Sequence, residues 1–413
     1  MHITLLDLLR CPFCGGRLTL EDNAALTRTG DEIETGVVWC ECCAFPVVGG
    51  IPVMRADDIT RRAIHQLEAG DHADALATML GMDEERRADL EALLARGDAA
   101  SYQEAMAVLS PDPEGTYFIY RFSDPTFVMA DAVLRALAQA PGAYAGRVLD
   151  ICGGSGHLTR TLCTLRPDHE VVLADMFFWK LWLARTITAP QCQPVCCDGN
   201  QPLPFARGTF PAVVLSDAFP YIWQKRLLAE EMMRVAGDDG LVVMPHLHSS
   251  LGENFSAGMT LTPASYRNLF LGLEPRLFPD EALLTQAIEG RGLDLSRPQS
   301  PEELGHDPSF TLIATRQARV FRHYEPLSPG SVEGVLRVNP LYDMTRRGWA
   351  TELTLRFPNE EYAEEFGDCR RYLPDTLTLD VDLTAPLTDA RAVSRIDDLR
   401  RRRVLLDVPT RYF

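Results

Sequence analysis

The chain has 413 residues, 46% of them hydrophobic, enough for two or three domains with sizeable cores. Its formal net charge of −18 argues against a nucleic-acid partner, because phosphate binding needs a positive face. No run of about eighteen apolar residues is present to cross a membrane, no basic stretch with an apolar core marks a secretory signal, and eleven cysteines suit reduced thiols and metal binding in the cytoplasm better than disulfides.

The first segment, residues 1–56, carries two knuckles, Cys11-Pro12-Phe13-Cys14 and Cys40-Glu41-Cys42-Cys43, separated by a β-prone stretch. That pattern predicts a closed tetrahedral Zn²⁺ site on Cys11, Cys14, Cys40 and Cys43, with Cys42 as a bystander. So small a unit buries too little to fold alone, and metal binding would supply the missing free energy. With Phe45 to Met54 included, the segment resembles the small zinc-ribbon activator that partners tRNA and protein methyltransferases. The resemblance implies a structural ribbon that packs on a catalytic domain. Zinc ribbons also precede the catalytic domain of ribosomal-RNA guanine methyltransferases, which leaves a substrate-recognition role open.

Residues 57–115 are alanine-rich and charged, with Leu90, Leu93 and Leu94 at helical spacing, and read as two or three linking surface helices. Ser110 to Gly115 breaks them. Thr116 to Phe122 and a helix from Pro125 to Ala138 follow.

From Gly146 the texture changes. Val148-Leu149-Asp150 is a strand, Gly153, Gly154, Ser155 and Gly156 form a tight turn, and Leu158, Leu162 and Leu165 give a helix that Pro167 stops. Strand, glycine turn and helix present backbone amides to a nucleotide-like ligand at the carboxyl edge of an α/β sheet. The dinucleotide fingerprint fails, since Thr159 stands where its last glycine belongs. Further strands run from Glu170 to Asp175, Gln193 to Cys197, Phe210 to Leu215 and Gly240 to His246, with a helix from Gln224 to Ala236. Phe310 to Thr315 reads as the last, antiparallel strand of the sheet.

The order apolar-apolar-Asp-x-x-Gly-Gly-x-Gly, with acids at three later strand ends, resembles the class I S-adenosylmethionine (SAM)-dependent methyltransferases. The resemblance implies a Rossmann-like seven-stranded sheet over residues 116–318 and a set of cofactor contacts. Asp150 would orient the loop Cys152-Gly153-Gly154-Ser155-Gly156 beneath the methionine moiety. Cys152 replaces the family's usual first glycine. Asp175, followed by Met176, would take the ribose hydroxyls, since a carboxylate offers two acceptor oxygens. Asp198 and Gly199 would meet the adenine, and Asp217 and Ala218 the sulfonium. Tyr117, Tyr120 or Arg121 would reach the SAM carboxylate or the substrate, unless their segment is simply a packing helix.

Aromatics cluster after two strand ends, and Phe219 and Tyr221 are candidates for a flat substrate wall. His246 and His248, two apart in an extended segment, point the same way and are candidate bases and substrate contacts. Asp217 is the competing base. A metal on the two histidines lacks an evident carboxylate partner in sequence. Residues 249–308 are expected to be a substrate-covering insertion. The β-rich part 319–413, with strands at Val335 to Val338, Leu353 to Phe357, Leu377 to Leu383 and Val404 to Val408, is open to three roles: extending the sheet, walling the pocket, or making a homodimer contact. Its basic run Arg400 to Arg403 reads as a solvated face, with a phosphate-bearing substrate as the alternative.

The expectation is a cytoplasmic SAM-dependent enzyme with structural zinc. It would methylate an oxygen or nitrogen (carbon being the third option) of a small molecule in specialised-metabolite biosynthesis. The rivals are an RNA methyltransferase, SAM chemistry other than methylation such as cyclisation, and a scaffold without activity.

Overall fold

Short runs of Val, Leu and Ile alternating with amphipathic helices build a seven-stranded sheet in the computed structural model, which describes residues 1–328, 330–347, 350–379 and 393–413. Ahead of that sheet, helix α1 (Leu5–Leu8) and strands β1 (Thr19–Leu20), β2 (Thr27–Thr29), β3 (Glu32–Trp39), β4 (Ala44–Val48) and β5 (Ile51–Pro52) form a small antiparallel unit. Four linking helices follow, α2 (Asp58–Glu68), α3 (His72–Met79), α4 (Glu84–Ala95) and α5 (Tyr102–Leu109), where two or three were expected. Gly70 and Gly81, both at positive φ, end the first two and divide what reads as one charged stretch. Then come α6 (Pro113–Tyr120) and α7 (Pro125–Ala138), each with proline in its first turn and an aspartate cap, Asp112 and Asp124.

The sheet has the order β11-β12-β10-β9-β6-β7-β8. Its parallel part comprises β6 (Val148–Ile151), β7 (Val171–Asp175), β8 (Gln193–Cys196), β9 (Ala212–Val214) and β10 (Leu241–His248). Helices α8 (His157–Leu165), α9 (Phe178–Leu183) and α10 (Lys225–Ala236) connect these strands. Every residue of β6 and β7 is buried, as expected of strands covered on both faces. Val148 joins the apolar cluster that contains Val133, Leu134 and Leu137 of α7, and Leu149 joins the cluster with Leu228 and Met232 of α10. Each fully buried side chain of this size contributes about 1.5–3 kcal/mol.

The segment expected to be only an insertion holds α11 (Pro263–Leu269), β11 (Pro275–Pro279), α12 (Asp280–Ile288) and α13 (Pro301–Leu304), so it contains a strand of the main sheet. β11 pairs antiparallel with β12 (Ser309–Ala314), giving two antiparallel strands at that side where one was expected. β11 begins and ends in proline, which disguises it as loop but suits an edge strand.

The N-terminal unit closes the opposite edge. Val53 bridges to Cys196 in parallel, Met54 N–H donates to the Cys196 carbonyl at 2.7 Å, and Arg10 N–H donates to the Pro204 carbonyl at 2.8 Å. Arg55 Nη1 donates to the Met176 carbonyl at 2.9 Å, just beyond β7. The edge of β8 is thereby covered.

Beyond residue 319, β13 (Val335–Val338) pairs with β17 (Leu405–Val408), and β14 (Tyr342–Arg347), β15 (Ala350–Leu355) and β16 (Thr376–Leu379) form a second small sheet. Helices α14 (Glu360–Glu365) and α15 (Val393–Arg401) complete this part. β14 is almost wholly exposed, so it lacks the apolar alternation that reveals a strand. Residues 380–383 of the expected strand Leu377 to Leu383 lie outside the described residues. The basic run is not a free cationic face. Arg401 and Arg402 pair with Asp398, and Arg403 reaches Asp131 at 3.1 Å. Among the described residues, no helix is long and apolar enough to cross a membrane.

Candidate active site

The glycine turn sits between the tips of β6 and β7. Gly154 and Gly156 adopt φ of 58° and 83°. Cys152 is also left-handed at 56°, so the position that lacks the usual glycine is one where glycine would be free of strain. A Cβ on Gly153 would lie 2.5 Å from Leu173 Cδ1 and 2.6 Å from Asp150 Oδ2, and one on Gly156 2.9 Å from Ala184 Cβ. Only bare backbone fits. Asp150 accepts from Thr159 Oγ1 at 2.6 Å, which ties the strand tip to the helix after the turn. Burial pushes its carboxyl up to about 7, against the Thr159 bond and with the Asp175 charge.

Asp175 ends β7. Its Oδ2 accepts from Gly154 N–H at 3.0 Å and its Oδ1 from Phe177 N–H at 2.9 Å. Burial still holds this carboxyl above its ordinary range, against the Lys180 charge and the two amides. Asp198 follows β8 and is held by Asn200, whose backbone N–H donates to it at 2.8 Å. A Cβ on Gly199 would come within 3.9 Å of Cys152 Sγ, which brings this tip beside the glycine turn.

Asp217 lies just beyond β9, and next to it β10 carries the two histidines. His246 is not extended: its φ is 60°, and the pairing with β12 slips between Met244 and Leu247. A bulge, rather than simple alternation, brings the two imidazoles together at 4.6 Å between centroids. His248 Nε2 is 3.2 Å from Asp217 Oδ1, and His246 Nδ1 is 2.9 Å from Asp280 Oδ2. Burial opposes ionisation of Asp217, but the His248 bond and the His246 and Arg121 charges outweigh it and hold its carboxyl below the ordinary range. Asp217, His246, His248 and Asp280 line a pocket of about 250 Å³ closed by Thr126 and Met129 of α7, Asn254 and Phe255, Glu365 of α14 and Phe366 just after it. The C-terminal part thus walls the pocket.

Several expected residues stand elsewhere. Arg121 is buried, with Nη1 on both oxygens of Asp124 at 2.9 and 2.8 Å, so its guanidinium is engaged as a cap partner. Tyr117 is nearer the pocket, its hydroxyl donating to Asp217 Oδ2 at 3.5 Å. Tyr120 packs edge-on against Tyr362. Phe219 is core, fully buried against Tyr266 and Phe270. Tyr221 is 57% exposed and is not among the pocket's walls. Met176 is partly exposed beyond Asp175, and Ala218 lies between Asp217 and the buried Phe219.

Sequence reasoning missed Asp280, whose approach to His246 depends on the β11–β12–β10 pairing. It also missed a brace around the glycine turn. Tyr412 OH lies 2.6 Å from His157 Nε2 and donates to the Phe118 carbonyl at 2.8 Å, and Tyr102 OH is 2.7 Å from Ser155 Oγ. No local motif announces contacts between residues so far apart.

In the N-terminal unit, Cys11, Cys14, Cys40 and Cys42 offer sulfurs within 4.8 Å of one another. Cys42 stands in this group of four sulfurs where Cys43 was expected. The hairpin closes with Cys40 N–H donating to the Cys43 carbonyl at 2.9 Å, which puts Cys42 in the turn, 3.5 Å from Cys11 Sγ. Cys43 Sγ is 3.6 Å from Cys42 and packs on the apolar cluster.

Residues 148–240 match the family model described as a methyltransferase domain. No curated protein matches the chain. Among solved structures, the chain is similar to the plantazolicin methyltransferase BpumL in complex with a desmethyl analogue and SAH, at 12% identity and TM-score 0.36, covering 57% of this chain and 100% of that one. It is also similar to a SAM-dependent methyltransferase from Aquifex aeolicus, at 14% identity and TM-score 0.34, covering 49% and 97%. A chain from the complex containing the Haloferax volcanii Trm112 methyltransferase activator matches at 15% identity and TM-score 0.34, covering 48% and 94%. The glycine turn, the acid-tipped parallel strands and the domain match over 148–240 lead to one identification: the chain carries a class I methyltransferase domain and is a SAM-dependent methyltransferase.

Proposed function

We propose that this enzyme transfers a methyl group to an oxygen or nitrogen of a small molecule of specialised metabolism, bound in the pocket beside Asp217, His246 and His248. The observation that carries this reading is the pocket of about 250 Å³ opening at the tips of β9 and β10, beside the strand that leads into the glycine turn. That volume suits a small ligand. Glu253, Asp280, Asp307 and Glu365 join Asp217 in its walls, an environment that repels a phosphodiester backbone and disfavours the RNA alternative.

When bound, SAM supplies a methyl group on a sulfonium, primed for in-line displacement, a reaction that depends above all on proximity. Gly153, Gly154, Ser155 and Gly156 would hold its methionine end by backbone, with Cys152 and Asp150 setting the turn. Asp175 and Met176 would receive the ribose, Asp198 and Gly199 the adenine, and Asp217, Ala218 and Tyr117 the sulfonium side. The place of Asp175 at the end of β7, with Oδ2 on the Gly154 amide of the glycine turn, supports this assignment. Asp217, His246 and His248 are the acceptor-activating set.

The division into a ribbon (1–56), helical linker (57–115), catalytic domain (116–318) and β-rich region (319–413) belongs to the same proposal. The four-sulfur cluster supports a structural zinc in the ribbon, and the bonds from Arg10, Met54 and Arg55 to the sheet edge support a stabilising role like that of the activator family. Calorimetry with SAM, followed by a metabolite screen with labelled methyl donor, tests the reading. A product heavier than its acceptor by one methylene is expected. No affinity for SAM would defeat it, and an isomeric or cyclised product would assign other SAM chemistry.

A further inference from the structure

We propose that Asp217, His246 and His248 hold a divalent transition-metal cation in the acceptor pocket, with Asp280 positioning His246. The proposal rests on the acceptor-pocket reading above and deepens it by saying how the set activates the acceptor: as metal ligands.

The three side chains converge. One ligand atom from each residue lies within 4.8 Å of the other two. His248 Nε2 and Asp217 Oδ1 are 3.2 Å apart, close to the roughly 3 Å between neighbouring ligands that each bond one cation at about 2.1 Å. His246 Nδ1 is taken by Asp280, which leaves Nε2 as its ligand atom. Asp280 is itself held, its Oδ1 accepting from Thr311 Oγ1 at 2.7 Å. Carboxylate behind imidazole is how metal-binding histidines are oriented. The carboxylate that sequence spacing did not supply is thus Asp217, brought in from the neighbouring strand.

The backbone at the site is also unusual. Asp217 and His246 both hold left-handed backbone, at φ of 61° and 60°, strain that is concentrated where the three side chains converge. A simple base would need one histidine oriented by one carboxylate. Here two rings meet over Asp217, each with its own carboxylate contact, and a cation reconciles them. Two nitrogens and one oxygen suit the middle of the first transition row, unlike the thiolates of the ribbon.

The test uses the full chain with its cysteine cluster zinc-loaded. Mn²⁺ alone is titrated and the free ion followed by electron paramagnetic resonance, with Co²⁺ alone in a second titration followed by its visible spectrum. One bound ion per chain is expected. Asp217→Asn, nearly isosteric, and His246→Ala should each weaken it at least tenfold, and Asp280→Asn by about 10–100-fold, the range for an outer-shell partner. Melting curves identify any variant that fails to fold, and Asp217→Asn then decides. Failure of the wild type to bind either ion, or binding that survives Asp217→Asn, overturns the proposal. SAM calorimetry on the same samples keeps the two readings apart. SAM binding without a cation defeats only the metal site, whereas loss of both defeats the functional reading.

Discussion

Asp175→Ala is the sharpest perturbation of the cofactor site, because structure and chemistry pull in different directions there. The folded chain loses two hydrogen bonds, from Gly154 N–H at 3.0 Å and Phe177 N–H at 2.9 Å. It also loses a buried carboxylate whose ionised form burial disfavours. These oppose each other, and the net cost should stay within about 2 kcal/mol, a shift of a few degrees in Tm. Cofactor binding has no such offset. Two ribose hydroxyls donating to a carboxylate at about 1.5–3 kcal/mol each make 3–6 kcal/mol, or roughly 10²–10⁴-fold in Kd. Calorimetry gives the affinity and far-ultraviolet circular dichroism the melting point. Asp175→Asn keeps one acceptor and should fall between wild type and Asp175→Ala. A folded Asp175→Ala protein that binds SAM within threefold of wild type would refute the assignment of this strand tip to the ribose.

Asp150, pushed up from its ordinary 3.8 to about 7, contributes stability that is complete below pH 4 and lost as pH rises through 7. Asp150→Asn keeps an acceptor for Thr159, so its stability relative to wild type should rise by up to about 4 kcal/mol between pH 4 and 8 in denaturant titrations; a flat difference would contradict the buried, proton-hungry carboxyl. Gly153→Ala should cost about 1–3 kcal/mol and weaken SAM binding, since its Cβ would meet Leu173 and Asp150 at 2.5 and 2.6 Å, and an unperturbed calorimetric titration would mean the turn is looser than described. Zinc content should drop in Cys42→Ser and persist in Cys43→Ser, and the opposite result would restore the spacing-based ligand set. Tyr412→Phe removes the bonds to His157 and Phe118 and should lower stability by about 1–3 kcal/mol, with a scan at wild-type Tm counting against the brace.

How much of this was legible in the sequence depends on the range of the interaction involved. The glycine turn and the strands around it are local: apolar runs of four or five residues, an acid at each tip and glycines where only bare backbone fits. Helix α7, from Pro125 to Ala138, is local too, framed by its cap and first-turn proline. β11 was hidden by its prolines and β14 by its exposed side chains, both because edge and surface strands do not need the apolar pattern that marks a buried one. Phe219 and Tyr221 look alike as aromatics after a strand end, yet one is core and the other exposed, a difference set by the packing of Tyr266 in α11 and Phe270 just after it.

The histidine pair shows why the centre of the site lay beyond such reading. Strict alternation predicts that residues two apart face the same way, and His246 and His248 do converge, but by another route. The slip in register at Met244 to Leu247 and the left-handed backbone at His246 turn that ring toward Asp280, and nothing in the local residues Pro245 and Leu247 requires it. What requires it is the neighbouring pairing with β12, which continues regularly on both sides of the slip. Cys152, Asp217 and His246 are three of the five described residues other than glycine at positive φ; the first two follow strand ends of this sheet and the third sits at the bulge near the end of β10. Propensity disfavours each of them where it sits, so the surrounding pairing must hold them there, at a cost in stability. Local sequence preference and final geometry diverge here because the tips are shaped to present groups to ligands rather than to satisfy their own backbone.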